Sequence, residues 1–322
     1  MQSKEFESLD SQIDTLRTRG MVINDYERCK RFLLTNNYYN IINGYSKYFQ
    51  VDHHSHNDKY VNGVTFDEVC ELYFFETEIK QTIFRATLDV EHHLKSIFAH
   101  RFAETQKNKR YAYLDVNCYA DDKILEVGYL ISKISRIINK NKKYPNNAIY
   151  HYVRKYNDVP IWVLIDFLDF GTLTLLISCV PKTLQNRIAQ DVSKFIRDNN
   201  HDFGGQFSPD IMNSFIANIR QIRNVCAHNN RLLDYTCNSD TKYFHKLHNL
   251  YNISSESSRT RAYSTFINMQ CFLSPTEFAV LNNTLRKRFR NLSNHLKTIS
   301  INEITSSLGF PNDWQNRSAI VQ

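Results

Sequence analysis

Glycine and proline are scarce, with 8 and 6 among 322 residues. That excludes a collagenous, linker-like or low-complexity chain. It also argues against a sandwich or barrel of many short strands, which would need more turn punctuation. The seven cysteines (Cys29, Cys70, Cys118, Cys179, Cys226, Cys237, Cys271) are scattered, odd in number and never spaced C-x-x-C. A disulfide framework or zinc knuckle is therefore disfavoured, and a reducing compartment is the simplest home. Charge of one sign is only mildly in excess: 40 Lys+Arg face 33 Asp+Glu, giving +7 and a pI near 8.9. Such a balance permits a polyanionic partner without requiring one. The opening MQSKEFESLDSQID carries charges where a secretory signal needs an apolar core, so no leader is expected. One apolar stretch, Ile161 to Val180, suggests a membrane span, yet it holds Asp166 and Asp169 near its centre. Each would cost about 2.5–3.5 kcal/mol at mid-bilayer. A buried helix or helix pair fits better, and a soluble cytoplasmic protein with no membrane partner is expected.

What is present is helical. Hydrophobic residues make up 42% of the chain and aromatics 13%, enough for one or two globular domains. Residues 3–19 predict a short amphipathic helix stopped by Gly20. Asn24 predicts the cap of a second helix carrying Tyr26, Cys29, Phe32 and Leu33. Asn43-Gly44 reads as a turn, and Asp52 to Asn62 as an exposed loop. Thr65 with Glu68 forms a capping box. Val69, Leu72, Phe75, Ile79, Ile83, Ala86, Val90, Leu94, Ile97 and Phe102 then recur at three- and four-residue steps. That predicts one long helix, or two nearly collinear ones, to about Ala103. Further helical patterns cover 122–140 and 183–198, while 105–121 and the basic region around Pro145 read as loops. Ser274-Pro275-Thr276-Glu277 starts a helix continued by Leu281, Leu285, Phe289, Leu292 and Leu296. Gly309 and Pro311 close a last short one. With no internal repeat and no alternating strand pattern, the predicted class is all-α.

The informative segment is SFIANIRQIRNVCAHNNRLLD, Ser214 to Asp234. Wound as one helix with Arg223 at zero, it places Asn230, Ala227, Arg220, Arg231, Asn224 and His228 between about −20° and +140°. Phe215, Ile219, Ile222, Cys226 and Leu233 fall on the opposite arc, with Ile216 left awkwardly on the polar one. Arginine offers a permanent charge with a fork of donors matched to phosphate oxygens. Histidine can take or give a proton near neutral pH. Together these groups can split a phosphodiester without a metal or cofactor. A base takes the ribose 2′-OH proton, the oxygen attacks the adjacent phosphate, and a guanidinium stabilises the developing charge. On a straight helix Arg223 and His228 stand about 140° apart and about 7.5 Å along the axis. A bend or a second copy of the stripe would help, and a homodimer with a composite site follows from that. The bland alternatives remain open at this point. A polar arc is ordinarily solvated surface, His228 can cap its neighbours, and Arg220 or Arg231 can pair with buried acids.

Arg223-Asn224-Val225-Cys226-Ala227-His228-Asn229-Asn230-Arg231-Leu232 resembles the R-N-x-x-A-H-x-x-R-L signature of bacterial abortive-infection proteins of the AbiD/AbiF kind. It also satisfies the looser arginine-to-histidine motif of the HEPN superfamily. Four further elements in family order strengthen the likeness. They are Ser11-Gln12-Ile13 to Ile23, Tyr38-Tyr39 with Asn43-Gly44-Tyr45, Val159-Pro160-Ile161-Trp162-Val163 with Phe170-Gly171, and Gly309-Phe310-Pro311 with Trp314. The resemblance implies a HEPN-like helical bundle over 63–300 with insertions, an N-terminal helical region over 1–62 and a packed tail over 301–322. It implies a metal-independent endoribonuclease acting as an anti-phage toxin in the bacterial cytoplasm, leaving a 2′,3′-cyclic phosphate and a 5′-OH. Carried across by position, Arg223 would stabilise the transition state and His228 would be general base or acid. Asn224 would orient one of them or a phosphate oxygen. Arg220, Arg231 and Asn230 would contact RNA phosphate. The partners implied are RNA substrate, a small structured RNA antitoxin and a second copy of the chain. Asn229-Asn230 departs from relatives that carry His or another residue there.

Several features lie outside this signature. Arg85 and His92 match the loose spacing too, but on a long helix whose two apolar stripes predict burial. Glu91 beside them is a candidate to orient Arg223 or His228, as buried carboxylates do for catalytic histidines. His53, His54 and His56 resemble a metal cluster, though so polar a stretch fits a mobile solvated loop. Lys107, Lys109, Arg110, Tyr111 and Tyr113, and Arg286, Lys287, Arg288 and Phe289, could extend an RNA track but read more simply as exposed faces. Two other classes compete with the nuclease: a non-catalytic RNA-binding or scaffolding module in phage defence or a toxin–antitoxin pair, and a helical protein-interaction factor.

Overall fold

The structure is a computed structural model that describes residues 6–51, 59–107, 109–201 and 203–317. Among the described residues there are fourteen α-helices and no strand, so the protein is all-α. The only sheet-like pairings among the described residues are isolated bridges, Val22 with Thr65 and Gln50 with Tyr60. The chain groups into two compact units, each discontinuous in sequence. The first gathers residues within Met1–Ile83, Val225–Tyr235 and Leu281–Val321. The second gathers residues within Phe84–Asn224 and Thr236–Val280.

In the first unit, Ser8 caps the helix Leu9–Thr18, whose Ile13 and Leu16 are fully buried. Gly20, at φ +97°, ends the first helix in the left-handed conformation that suits glycine. The next helix, Tyr26–Asn36, is capped by Asp25 and not by Asn24, because the Asp25 carboxylate accepts the Arg28 N–H at 2.9 Å. The expected turn at Asn43-Gly44 is absent, and both residues lie inside the helix Tyr38–Tyr45. The long helix Phe66–Thr105 starts where Thr65 predicts, with the Thr65 hydroxyl accepting the Glu68 N–H at 3.1 Å. Glu68 does not return the bond. Its carboxylate instead accepts the backbone N–H groups of Lys297 and Thr298, at 2.8 and 2.9 Å. An aromatic core forms around the fully buried Phe289, whose ring lies 4.9 Å from Phe75 and 5.6 Å from Trp314. Burying large rings in this way is among the strongest contributions a core can receive.

The second unit contains the helix Ile124–Asn141, which buries Val127, Leu130, Ile134 and Ile138 at helical spacing. The apolar stretch from Ile161 resolves into a short helix, Ile161–Leu164, a single tight turn, and the helix Phe170–Cys179. Asp169 caps that last helix by accepting the Thr172 N–H at 2.7 Å. The carboxylate that disfavours a membrane span is therefore a helix-start signal. No helix among the described residues is long and apolar enough to cross a membrane. Ser274 and Glu277 complete a reciprocal capping box at the start of the helix Pro275–His295. The helix bearing the signature, Pro209–Ala227, buries Met212, Phe215, Ile216, Ile219 and Ile222. Ile216, awkward on the helical wheel, is only 2% exposed and belongs to the packed side.

Candidate functional site

The helix carrying Arg220, Arg223 and Asn224 ends at Ala227, one residue before His228. The wheel drawn to Asp234 therefore fails past that point, and His228, Asn230, Arg231 and Leu233 are not helical. Asn229 supplies the reason. It sits at φ 52°, in the left-handed region where asparagine is the commonest substitute for glycine. Its N–H bonds the Cys226 carbonyl at 3.2 Å, and the Asn230 N–H bonds the Val225 carbonyl at 3.0 Å. Those two bonds make a Schellman stop with His228 at the cap. The Asn229-Asn230 pair thus has a structural role in ending the helix and turning the chain.

Within the first unit, this turn is held from below by two charged residues of the long helix. Glu76 is fully buried, and its Oε1 accepts the N–H groups of Leu232 and Leu233 at 2.7 and 2.8 Å. Its Oε2 accepts the Tyr45 hydroxyl and lies 3.4 Å from the Lys80 ammonium. Burial and the neighbouring carboxylate together push the Tyr45 phenol well above its ordinary range. Lys80, 4% exposed, donates to the Asn229 side-chain oxygen at 2.7 Å. A buried pair is costly unless every remaining donor and acceptor is satisfied, and here both ions spend their extra valences on the turn. Arg231 lies against Gly44: a methyl group there would stand 3.2–3.3 Å from the guanidinium. The glycine is inside a helix because an arginine needs the space a side chain would fill. Asp234 closes the segment by accepting from Lys47 and from the Tyr48 hydroxyl, at 2.5 and 2.7 Å.

The result is an open cleft of about 760 Å³ lined by His228, Asn229, Asn230 and Arg231 together with Asn37, Asn40 and Lys80. His228, Asn40 and Asn230 are exposed, and their side chains form no hydrogen bond within the protein among the described residues. Glu76 and Lys80 were not singled out by sequence. Their signal is present nonetheless, as two charges four residues apart on the apolar stripe of Leu72, Phe75, Ile79 and Ile83.

In the second unit, Arg223 reaches towards Glu91. Its Nη2 stands 3.9 Å from the Glu91 carboxylate, and its guanidinium packs over the Phe84 ring at 5.6 Å. Glu91 is 8% exposed and makes its closer contact, 3.0 Å, with Lys95. Asn224 is exposed and accepts from Arg223 at 3.3 Å. The Nε of Arg223 and one oxygen of Glu91 are buried with no hydrogen-bond partner among the described residues. Arg220 lines a separate cleft of about 480 Å³ with Lys133, Gly171 and Thr174. A methyl group on Gly171 would stand 3.5 Å from its guanidinium. Arg85 is 80% exposed and pairs with Asp89, and His92 is exposed, so the burial expected for these two does not hold. The helix buries its apolar stripes and turns these two side chains outward.

The basic–aromatic stretches divide in the same way. Tyr113 and Phe289 are buried, as is Arg286, which packs over the Trp314 ring and donates to its carbonyl at 3.0 Å. These three are not exposed faces. His53, His54 and His56 lie outside the described residues. Among the described residues no cluster of histidine, cysteine and carboxylate side chains is arranged to hold a metal ion. All seven cysteines are free, and burial pushes the Cys226 thiol up to about 12.

Comparison with curated proteins and with solved structures found no match to this chain. A family model described as Abi-like protein matches residues 31–234, more than half of the chain and the whole of the signature segment. The chain therefore belongs to the Abi-like protein family, which associates it with abortive infection, a form of phage resistance.

Proposed function

We propose that this protein is a metal-independent endoribonuclease of the HEPN type and that RNA scission is its means of abortive infection. The observation that carries the reading is the His228 cleft. An imidazole with no hydrogen-bond partner among the described residues shares its walls with the guanidinium of Arg231 and several amides, on a turn anchored by two buried ions. Groups held in place by their supports lose little entropy on engaging a substrate. In the reaction, His228 takes the proton of the ribose 2′-OH or returns one to the leaving 5′-oxygen. The 2′-oxygen forms a bond to phosphorus as the bond from phosphorus to the 5′-oxygen breaks. The products are a 2′,3′-cyclic phosphate and a 5′-OH.

Arg223 takes the role of stabilising charge on the non-bridging oxygens, with Asn224 beside it and Glu91 limiting its swing. Arg231, Asn230 and Arg220 are assigned to phosphate contacts along the strand. A second copy of the chain and a small structured RNA that silences the toxin are the partners of this reading.

Purified protein incubated with total RNA in EDTA tests it. Wild type should yield new 5′-OH ends, and His228→Ala should yield none while keeping most RNA affinity. Equal cleavage by both proteins would remove His228 from the chemistry. RNA binding without scission by wild type stripped of bound RNA would leave a binding module only.

A further inference from the structure

Trp162 is 57% exposed, an unusual placement for the largest apolar side chain. Its neighbours explain how it is held there. Ile161, Val163 and Leu164 are buried, so the short helix is anchored by three apolar contacts and the indole is left outside. Asp158 fixes the approach by accepting the N–H groups of Tyr111 and Val159, at 3.0 and 2.9 Å. Tyr113 donates its hydroxyl to the Val159 carbonyl at 2.7 Å. Tyr111 is held at φ 49°, a conformation that costs a side-chain-bearing residue energy and persists only where surroundings impose it.

Two clefts of the second unit, about 510 and 650 Å³, share Trp162 and Lys107 in their walls. Arg110 and Tyr111 stand in one, and His92 and His100 in the other. Among the described residues Lys107 and Arg110 are exposed with no ion-pair partner. Of the acids, Glu104 is paired with Arg101 and Arg187, at 2.8 and 2.7 Å, while Asp158 accepts two backbone N–H groups through Oδ1 and keeps its charge. Asp166 is the remaining carboxylate. An exposed aromatic face that shares a cleft with two unpaired cations has the composition of a single-strand nucleic-acid platform, where bases stack and phosphates follow the charge.

We infer that Trp162 is a base-stacking site for single-stranded RNA, with Lys107 and Arg110 contacting phosphates on either side of the stacked nucleotide. The choice of RNA as occupant rests on the nuclease reading above. An isolated indole rimmed by cations suits a polyanion better than it suits a protein partner, which would need a wider apolar patch.

The chain has two tryptophans, and the other, Trp314, is 4% exposed, so its emission is a constant background that a stacking base cannot reach, and any contact quenching reports Trp162. In the full chain carrying His228→Ala, to prevent cleavage, a short oligoadenylate should quench this emission saturably. In the Trp162→Phe protein the quench should vanish. Trp162→Ala should weaken binding of a labelled oligoadenylate by about 5- to 150-fold, the range for loss of one stacked base, and Trp162→Phe should restore most of it. Lys107→Gln should weaken binding and flatten its salt dependence. Unchanged affinity in Trp162→Ala, no single-strand binding at all, or a signal that follows protein rather than oligonucleotide concentration would each overturn the assignment. The outcomes separate from those of the nuclease. Cleavage with unaltered Trp162→Ala affinity sinks only this platform, and Trp162 quenching without any wild-type cleavage sinks only the nuclease.

Discussion

Lys80 Nζ and Asn229 Oδ1 stand 2.7 Å apart, and the lysine making this contact is almost wholly buried. The bond joins the long helix to the residue that ends the signature helix. Asn229 therefore has two roles: a backbone that accepts positive φ and a side chain that satisfies a buried cation. The two can be separated. Asn229→Gly should keep the turn and lose the contact, whereas Asn229→Val should add about 1–2 kcal/mol of left-handed strain. Urea denaturation of the two variants should rank valine as the less stable.

Removing Glu76 should be among the most damaging single changes in the first unit. Glu76→Ala strands Lys80 and leaves the N–H groups of Leu232 and Leu233 without an acceptor. The expected loss is about 3–5 kcal/mol, the range for breaking a buried pair from one side. Urea denaturation of Glu76→Ala checks this, and a loss below about 1 kcal/mol would show that water reaches this pair and that it does not anchor the turn.

Gly44→Ala should separate stability from activity. A methyl group inside the helix improves its intrinsic propensity by about 0.5–1 kcal/mol, yet it would press on the Arg231 guanidinium at 3.2 Å. The flexible arginine tip moves more easily than the helix backbone. Thermal unfolding should be little changed while RNA cleavage falls, and Arg231→Ala should lower cleavage similarly, with no further loss when it is combined with Gly44→Ala, if the effect runs through the arginine.

Low pH should destabilise the second unit through His248. This ring is fully buried, accepts the Phe244 N–H through Nδ1 and faces Asn268 through Nε2 at 2.9 Å. Burial lowers its pKa, so the folded protein keeps the ring neutral while the unfolded chain gains a proton near pH 6.5. Stability is then full above that value and declines as pH falls below it, towards the lowered folded pKa. His248→Gln should remove this component of the pH dependence, measured as denaturation midpoints between about pH 7 and pH 5.

Much of this architecture is legible in the residues because local signals and packing agree. Ser274 to Glu277 announces its helix, and the stripe from Val69 to Phe102 announces another, since cap chemistry and apolar period depend only on neighbours in sequence. The failures come where a distant group decides. Gly44 reads as a turn until Arg231 is seen occupying its empty side, and Glu68 abandons its capping box for Lys297 and Thr298. The same holds at the candidate site. Arg223, Asn224, His228 and Arg231 are visible as a motif, but the supports at Glu76 and Lys80 are 150 or so residues away in sequence. Asn229 is the instructive case. As a departure from a pattern it has no meaning in the sequence alone, and as a left-handed helix stop it has a plain one.

In the proposed mechanism the attacking oxygen belongs to the substrate and His228 moves its proton. Once a cut position is mapped, an oligonucleotide spanning it with one 2′-deoxy nucleotide on the 5′ side of the cut tests that claim most directly. Wild-type protein in chelator should cleave the all-ribose strand to a cyclic phosphate and leave the deoxy strand intact, though still bound. Scission of the deoxy strand at the same position, or a 5′-phosphate on the product, would mean that water is the nucleophile and that this account of the site is wrong.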